Sequence, residues 1–143
     1  MMGILIALLS GALMSIQGVF NTEVTQQSSL WVSTGWVQLS AFLVCIVAWF
    51  MTGRESIGAL WNVEHKYTLL GGVIGAFITI TVIQSMDSLG PAKAAMLIVI
   101  AQLIVAYVIE LLGLFGMEKQ PLEWRKVVGM LIAIGGVVLF KWE

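Results

Sequence analysis

Five apolar stretches divide the sequence, at residues 3–21, 30–51, 67–86, 91–115 and 122–140. Each is close to the roughly 20 residues a helix needs to cross a hydrocarbon layer about 30 Å thick. A backbone in lipid must satisfy its own hydrogen bonds, so spans of this length are helices; barrel strands would be shorter and would alternate. The spans use most of the chain. The expected architecture is therefore an all-α integral membrane protein, one five-helix transmembrane domain over residues 1–143, with no separate soluble domain.

Composition closes the alternatives. The 143 residues are 59% apolar and 10% charged, against about 45–50% and about 25% in soluble domains. Seven basic and eight acidic residues cannot cover the large relative surface of a small soluble chain. Disorder would need the reverse balance. Nucleic-acid binding would need a basic stripe, which a net charge of −1 spread over scattered residues does not supply. With Cys45 the only cysteine and His65 the only histidine, neither an intramolecular disulfide nor a Cys/His zinc site can form. No metal or cofactor is expected.

Tryptophan favours the headgroup level, where one end of its ring is dry and the other wet. Trp31 and Trp49 bracket the second span, and Trp124 and Trp142 bracket the fifth. Each pair spans roughly 27 Å at helical rise, the thickness of the oily layer. Residues 22–29 are polar and read as the first connector, and 52–66 is the longest. Asp87-Ser88-Leu89-Gly90 reads as a tight hairpin in which Asp87 or Ser88 caps free N–H groups and Pro91 starts a helix. The connector 116–121 likewise ends in a proline, Pro121, at an expected helix start. The first span lacks a basic leader and exceeds the apolar run of a signal peptide, so it is expected to stay in the protein. Arg54, Lys66, Lys119, Arg125 and Lys126 fall on one side, and Lys93 and Lys141 on the other. That bias places the N-terminus in the cytoplasm and, across five spans, the C-terminus outside.

Small residues let membrane helices approach closely. Gly3, Ala7, Gly11 and Ser15 recur every four residues in the first span. Gly71 and Gly75, with Thr79, form a second stripe, and Gly129, Ala133 and Gly136 a third. These are read as packing surfaces within or between subunits. Polar side chains at bilayer depth are costly and face a bundle interior or a wet cavity. Gln17 and Asn21 share a face of the first span, Gln38 lies in the second, and Gln84 and Asn21 near span ends suit capping. Gln102, Ala106 and Glu110 share a side of the fourth. Gln102 lies about 16 Å into that helix, near the bilayer middle, and Glu110 about 28 Å in. Glu110 is either a carboxylate that snorkels to the interface or a coupling group. No nucleophile elbow or deep carboxylate pair points to catalysis, and the chain is not expected to be an enzyme.

Taken together, Gly11, Gln17 and Asn21 in span one, Leu70-Gly71-Gly72-Val73-Ile74-Gly75-Ala76 in span three, Leu89-Gly90-Pro91-Ala92 with Gln102, Glu110, Gly113 and Gly116, and Pro121-Leu122 with Arg125, Gly129 and Gly135-Gly136 resemble the YdcZ-like family of the drug/metabolite transporter superfamily. The resemblance covers essentially the whole chain. It departs where the family usually has Gly-Gln and this chain has Ala101-Gln102, and where the family usually has Asp and this chain has Glu110. Gln38 is read from its own depth, since the family's span-two pattern is not clear here. The resemblance implies half of a ten-helix carrier, an inner-membrane subunit that pairs with itself or a homologue in the opposite orientation.

The function expected is alternating-access transport of a small polar or amphipathic metabolite or drug. Gln102, Gln17, Asn21 and Gln38 would line its path, with Glu110 as the candidate coupling carboxylate. The rival readings are a dual-topology small-ion channel and a non-transporting accessory protein. The expected partners are lipid, the small substrate and the second subunit.

Overall fold

In the computed structural model, which describes residues 1–141, five α-helices follow in order: α1 Met2–Gln27, α2 Leu30–Thr52, α3 Gly71–Leu89, α4 Pro91–Leu112 and α5 Trp124–Lys141. Short 3-10 helices occupy Ile57–Asn62, Lys66–Leu70 and Leu114–Gly116. Four segments, Met2–Gln27, Leu30–Thr52, Lys66–Leu89 and Pro91–Leu112, are long and apolar enough to cross a membrane. The fifth, α5, has 18 residues and carries Arg125 and Lys126 in its first turn and Lys141 at its end. Leucine, isoleucine, valine and phenylalanine cover the outward faces, with Leu8, Val44 and Ile132 all about two-thirds exposed. Such faces suit lipid and would be untenable in water. The protein is an all-α, multi-pass membrane protein.

The chain divides between Ser88 and Leu89 into two compact units. In the first, α1 and α2 are joined by only Ser28 and Ser29, a turn short enough to make them antiparallel neighbours. Ser29 caps α2 by accepting from the Val32 N–H at 3.3 Å. Ser33, fully buried, ties the pair by donating to the Asn21 carbonyl at 3.0 Å. The third helix meets α1 where Gly18 faces Met86: a Cβ at Gly18 would lie 2.5 Å from the Met86 Sδ and Cε atoms. Nearer the turn, the Gln26 amide donates to the Asp87 carboxylate at 2.8 Å.

Several boundaries move from their expected places. Residues 22–27, read as a loop, extend α1 to Gln27. The hydroxyls here and at the cap fold back on the helix: Thr22 donates to the Gly18 carbonyl, Thr25 to Asn21 and the C-cap Ser28 to Val24, at 2.8, 2.8 and 2.6 Å. Polar side chains thus stay bonded without breaking the backbone ladder. Asn21 therefore lies inside α1 and is not a cap, and Gln84 lies inside α3. Asp87 and Ser88 do not cap α4 either. Both belong to α3, where Ser88 donates to the Gln84 carbonyl at 2.7 Å. Gly90 precedes α4 at φ 79°, and Pro91 begins that helix as expected.

In the second unit, α4 stops at Leu112 rather than near residue 115, because Gly113 adopts a left-handed conformation (φ 65°, ψ 40°) and returns its N–H to the Ile109 carbonyl. This glycine cap ends a helix because only glycine enters that region without a Cβ penalty. Pro121 does not open the last helix. α5 begins three residues later at Trp124, where the Glu123 carbonyl accepts from the Lys126 and Val127 N–H groups at 3.0 and 3.3 Å.

Candidate functional site

In the second unit, Glu110, Glu123 and Lys126 come together where α4 ends and α5 begins. Glu110, in the last turn of α4, has its backbone carbonyl satisfied by the Gln120 N–H at 2.9 Å, so the connector folds back over the helix end. A carboxylate at a helix C-terminus opposes the helix dipole. Lys126 of α5 offsets it: the ammonium lies 3.7 Å from Glu110 Oε2 and 3.4 Å from Glu123 Oε1. The ammonium also sits 5.9 Å from the centre of the Tyr107 ring. Tyr107, 8% exposed, pins the start of α5 to α4. Its phenol oxygen accepts from the Glu123 N–H at 3.1 Å and donates to the Glu123 carbonyl at 3.4 Å.

This cluster closes one end of an open cavity of about 510 Å³ between α4 and α5. Leu103, Ala106, Tyr107, Glu110, Lys126, Gly129 and Met130 line it. Deeper along the pair, Ile100, Leu103 and Ile104 close on Met130, Ala133 and Ile134, leaving no room for a water molecule. On the connector side a second cavity of about 540 Å³ is lined by Glu110, Gly116, Met117, Glu118, Gln120 and Lys126. Glu110 and Lys126 are the residues the two cavities share.

In the first unit, Gln17 and Asn21 stand together, as their spacing requires, on an open groove of about 520 Å³ along α1 with Ser10, Leu13, Met14, Ile16 and Phe20. Gln38 is half-buried and donates from its side-chain amide to the Thr79 hydroxyl at 3.4 Å, bridging α2 and α3. Thr79 passes the bond on to the Gly75 carbonyl at 3.0 Å. Thr34, on α2, is buried at 6% exposed with its hydroxyl oxygen unpartnered. Gln102 is exposed halfway along α4 and is not part of the cavity wall that Ala106 and Glu110 help to form.

The predicted packing glycines have separate fates. A Cβ added at Gly3, Gly11, Gly71, Gly75, Gly129 or Gly136 would meet nothing within 4 Å. Gly129 instead lines the cavity between α4 and α5. The glycine that does bring helices together within the first unit is Gly18, which the four-residue stripe of span one passes over. Trp49 donates from its indole to the Glu55 carbonyl at 2.8 Å, just beyond α2. Trp31 and Trp124 are exposed near helix starts, and Trp142 lies outside the described residues.

Apolar helices long enough to cross a lipid layer, carrying a few amides, define a multi-pass membrane protein. The chain belongs to the family described as "Putative inner membrane exporter, YdcZ", whose family model matches residues 2–139. No curated protein and no solved structure matches it.

Proposed function

We propose that the chain is one half of a secondary transporter, moving a small polar or amphipathic metabolite or drug across the inner membrane by alternating access. Its partner is a second copy or a homologue in the opposite orientation. The observation that carries this reading is the pair of amides left open at membrane depth. Gln17 faces a groove on α1 and Gln102 lies exposed on α4. An amide in hydrocarbon needs a partner or a wet cavity. An inverted second half supplies both, because such carriers hold cargo near the midplane between repeats. Five spans per subunit suit that architecture, with the N-terminus in the cytoplasm and the C-terminus outside. In this reading Gln102, Gln17 and Asn21 contact cargo, Gln38 braces α2 against α3 beside the path, and Glu110 is the coupling carboxylate.

The test begins with a thermal-shift screen of small metabolites and amphipathic drugs against the purified protein. In proteoliposomes carrying a hit, Gln102→Ala lowers flux about tenfold, the loss of about 1.4 kcal/mol of contact with moving cargo. Its melting temperature stays that of the wild type. Glu110→Gln removes the response to an imposed pH gradient. Ion currents far faster than a microsecond-to-millisecond conformational cycle would overturn carriage in favour of a pore.

A further inference from the structure

We infer that the α4–α5 pair holds a zwitterionic phospholipid with a primary-amine headgroup. Its phosphate lies on Lys126, its ammonium between Glu110 and Glu118, and the start of one acyl chain in the slot between the helices. The two cavities that share Glu110 and Lys126 are open to their surroundings and differ in character. Leu103, Ala106, Gly129 and Met130 give the one between α4 and α5 an apolar wall. Glu118 and Gln120 give the connector-side one a polar wall. An apolar slot and a polar bay that meet at one ion pair match a molecule with a chain on one side and a charged head on the other. Depth agrees. Glu110 lies about 28 Å along α4, at headgroup level, and Leu103 about 10 Å deeper. Below Leu103 the helices close and leave no room, so a chain entering the slot leaves again through its open side.

Charge selects the headgroup. Among the described residues, Lys126 is the one cation in either cavity wall, against Glu110 and Glu118 in those walls and Glu123 at 3.4 Å. An anionic lipid needs a basic cluster; this balance repels one and draws in a cation. Lys126 is also available to a phosphate. Its distances of 3.7 Å to Glu110 and 3.4 Å to Glu123 both exceed the roughly 2.7–2.9 Å of a settled charge-assisted hydrogen bond. Glu118 is exposed and makes no ion pair among the described residues. A primary ammonium carries three donors and can bridge two carboxylates, whereas a quaternary choline carries none. The slot itself exists because Ala106 and Gly129 are small. A Cβ at Gly129 would meet nothing within 4 Å, so a larger side chain there fills the space that the acyl chain would take.

The assignment stands whether or not the chain carries cargo, and its test measures binding alone. Full-length protein, stripped of lipid in detergent, is titrated with phosphatidylethanolamine, phosphatidylcholine and phosphatidylglycerol of identical chains. Bound lipid is counted by native mass spectrometry. The expected result is one phosphatidylethanolamine per chain, held several-fold more tightly than either other lipid. Gly129→Leu is expected to lower that retention several-fold, while Gly135→Leu, which lies off the cavity on the same helix, keeps it. Glu118→Gln is expected to narrow the preference for phosphatidylethanolamine over phosphatidylcholine. Size-exclusion profiles identify a slot variant that has failed to fold, and Ala106→Leu, filling the same slot from α4, then takes its place. Equal retention of the three lipids overturns the site. So does binding of glycerophosphoethanolamine, the head without its chains, as tight as that of the lipid. If filling the slot dissociates a dimer and leaves lipid retention unchanged, the slot belongs to a second copy of the chain and the lipid is overturned.

Discussion

Gly18 shows how much a single missing Cβ decides in this fold. The repeat of small residues at 3, 7, 11 and 15 was legible in the sequence, yet within the first unit the close approach uses Gly18, three residues past Ser15 and to one side of that stripe. Nothing in the local sequence says which face of α1 meets α3; that depends on Met86, 68 positions away and only 5% exposed. The consequence can be measured. Gly18→Leu should cost about 1–3 kcal/mol, the usual range for overpacking a filled contact, read as a lower unfolding midpoint in detergent. Shortening Met86 to alanine in the same chain should recover part of the loss, since the clash is with the flexible end of that side chain. Gly11→Leu, where a Cβ meets nothing within 4 Å, should leave the unfolding midpoint unchanged. Equal shifts for Gly18→Leu and Gly11→Leu would remove Gly18 from its role.

At the scale of the element, apolar runs locate helices well and end them poorly. All five were legible because hydrocarbon thickness sets their length, but α1 continues through residues 22–27 where hydropathy stops. The hydroxyls of Thr22, Thr25 and Ser28 bond back to carbonyls one turn earlier, so polarity there does not end the helix. Thr25→Pro separates the two readings. In a loop it would be tolerated; in a helix it removes a ladder bond and clashes with the Asn21 carbonyl, at about 3 kcal/mol or more. That carbonyl also receives the Ser33 hydroxyl that ties α1 to α2. The expected outcome is a large drop in thermal stability with loss of α1–α2 packing, and a melting curve like that of the wild type would return residues 22–27 to a loop. The same limit hid the charged cluster. Lys126 counted in the sequence only toward a cytoplasmic bias, and nothing singled out Tyr107. Their meeting depends on how the connector after Gly113 turns back, and no periodicity within α4 or α5 encodes that turn.

For the whole molecule, an odd number of crossings makes an unusual prediction about gene fusion. If α5 spans the membrane as α1 to α4 do, the two ends of a subunit lie on opposite sides. A second copy joined directly to the C-terminus then starts on the far side and is threaded upside down, with no device beyond a short linker. A direct tandem fusion of two identical copies should therefore express, fold and carry cargo as the separate chains do. A fusion with one extra apolar helix in the linker would force the copies parallel and should lose transport while keeping its membrane insertion. The 18 residues of α5, with Arg125, Lys126 and Lys141 at its ends, make this the decisive element. At about 1.5 Å per residue it is roughly 27 Å long, enough to reach both interfaces only if its terminal basic side chains extend toward the headgroups. Reporter fusions after the last residue check the crossing directly, and flux through the two tandem fusions checks the pairing. If the parallel fusion transports and the direct one does not, the subunit crosses an even number of times or pairs in one orientation. The inverted half-carrier would then have to be abandoned, because the open amides would lack the second, inverted half that the reading assigns to cover them.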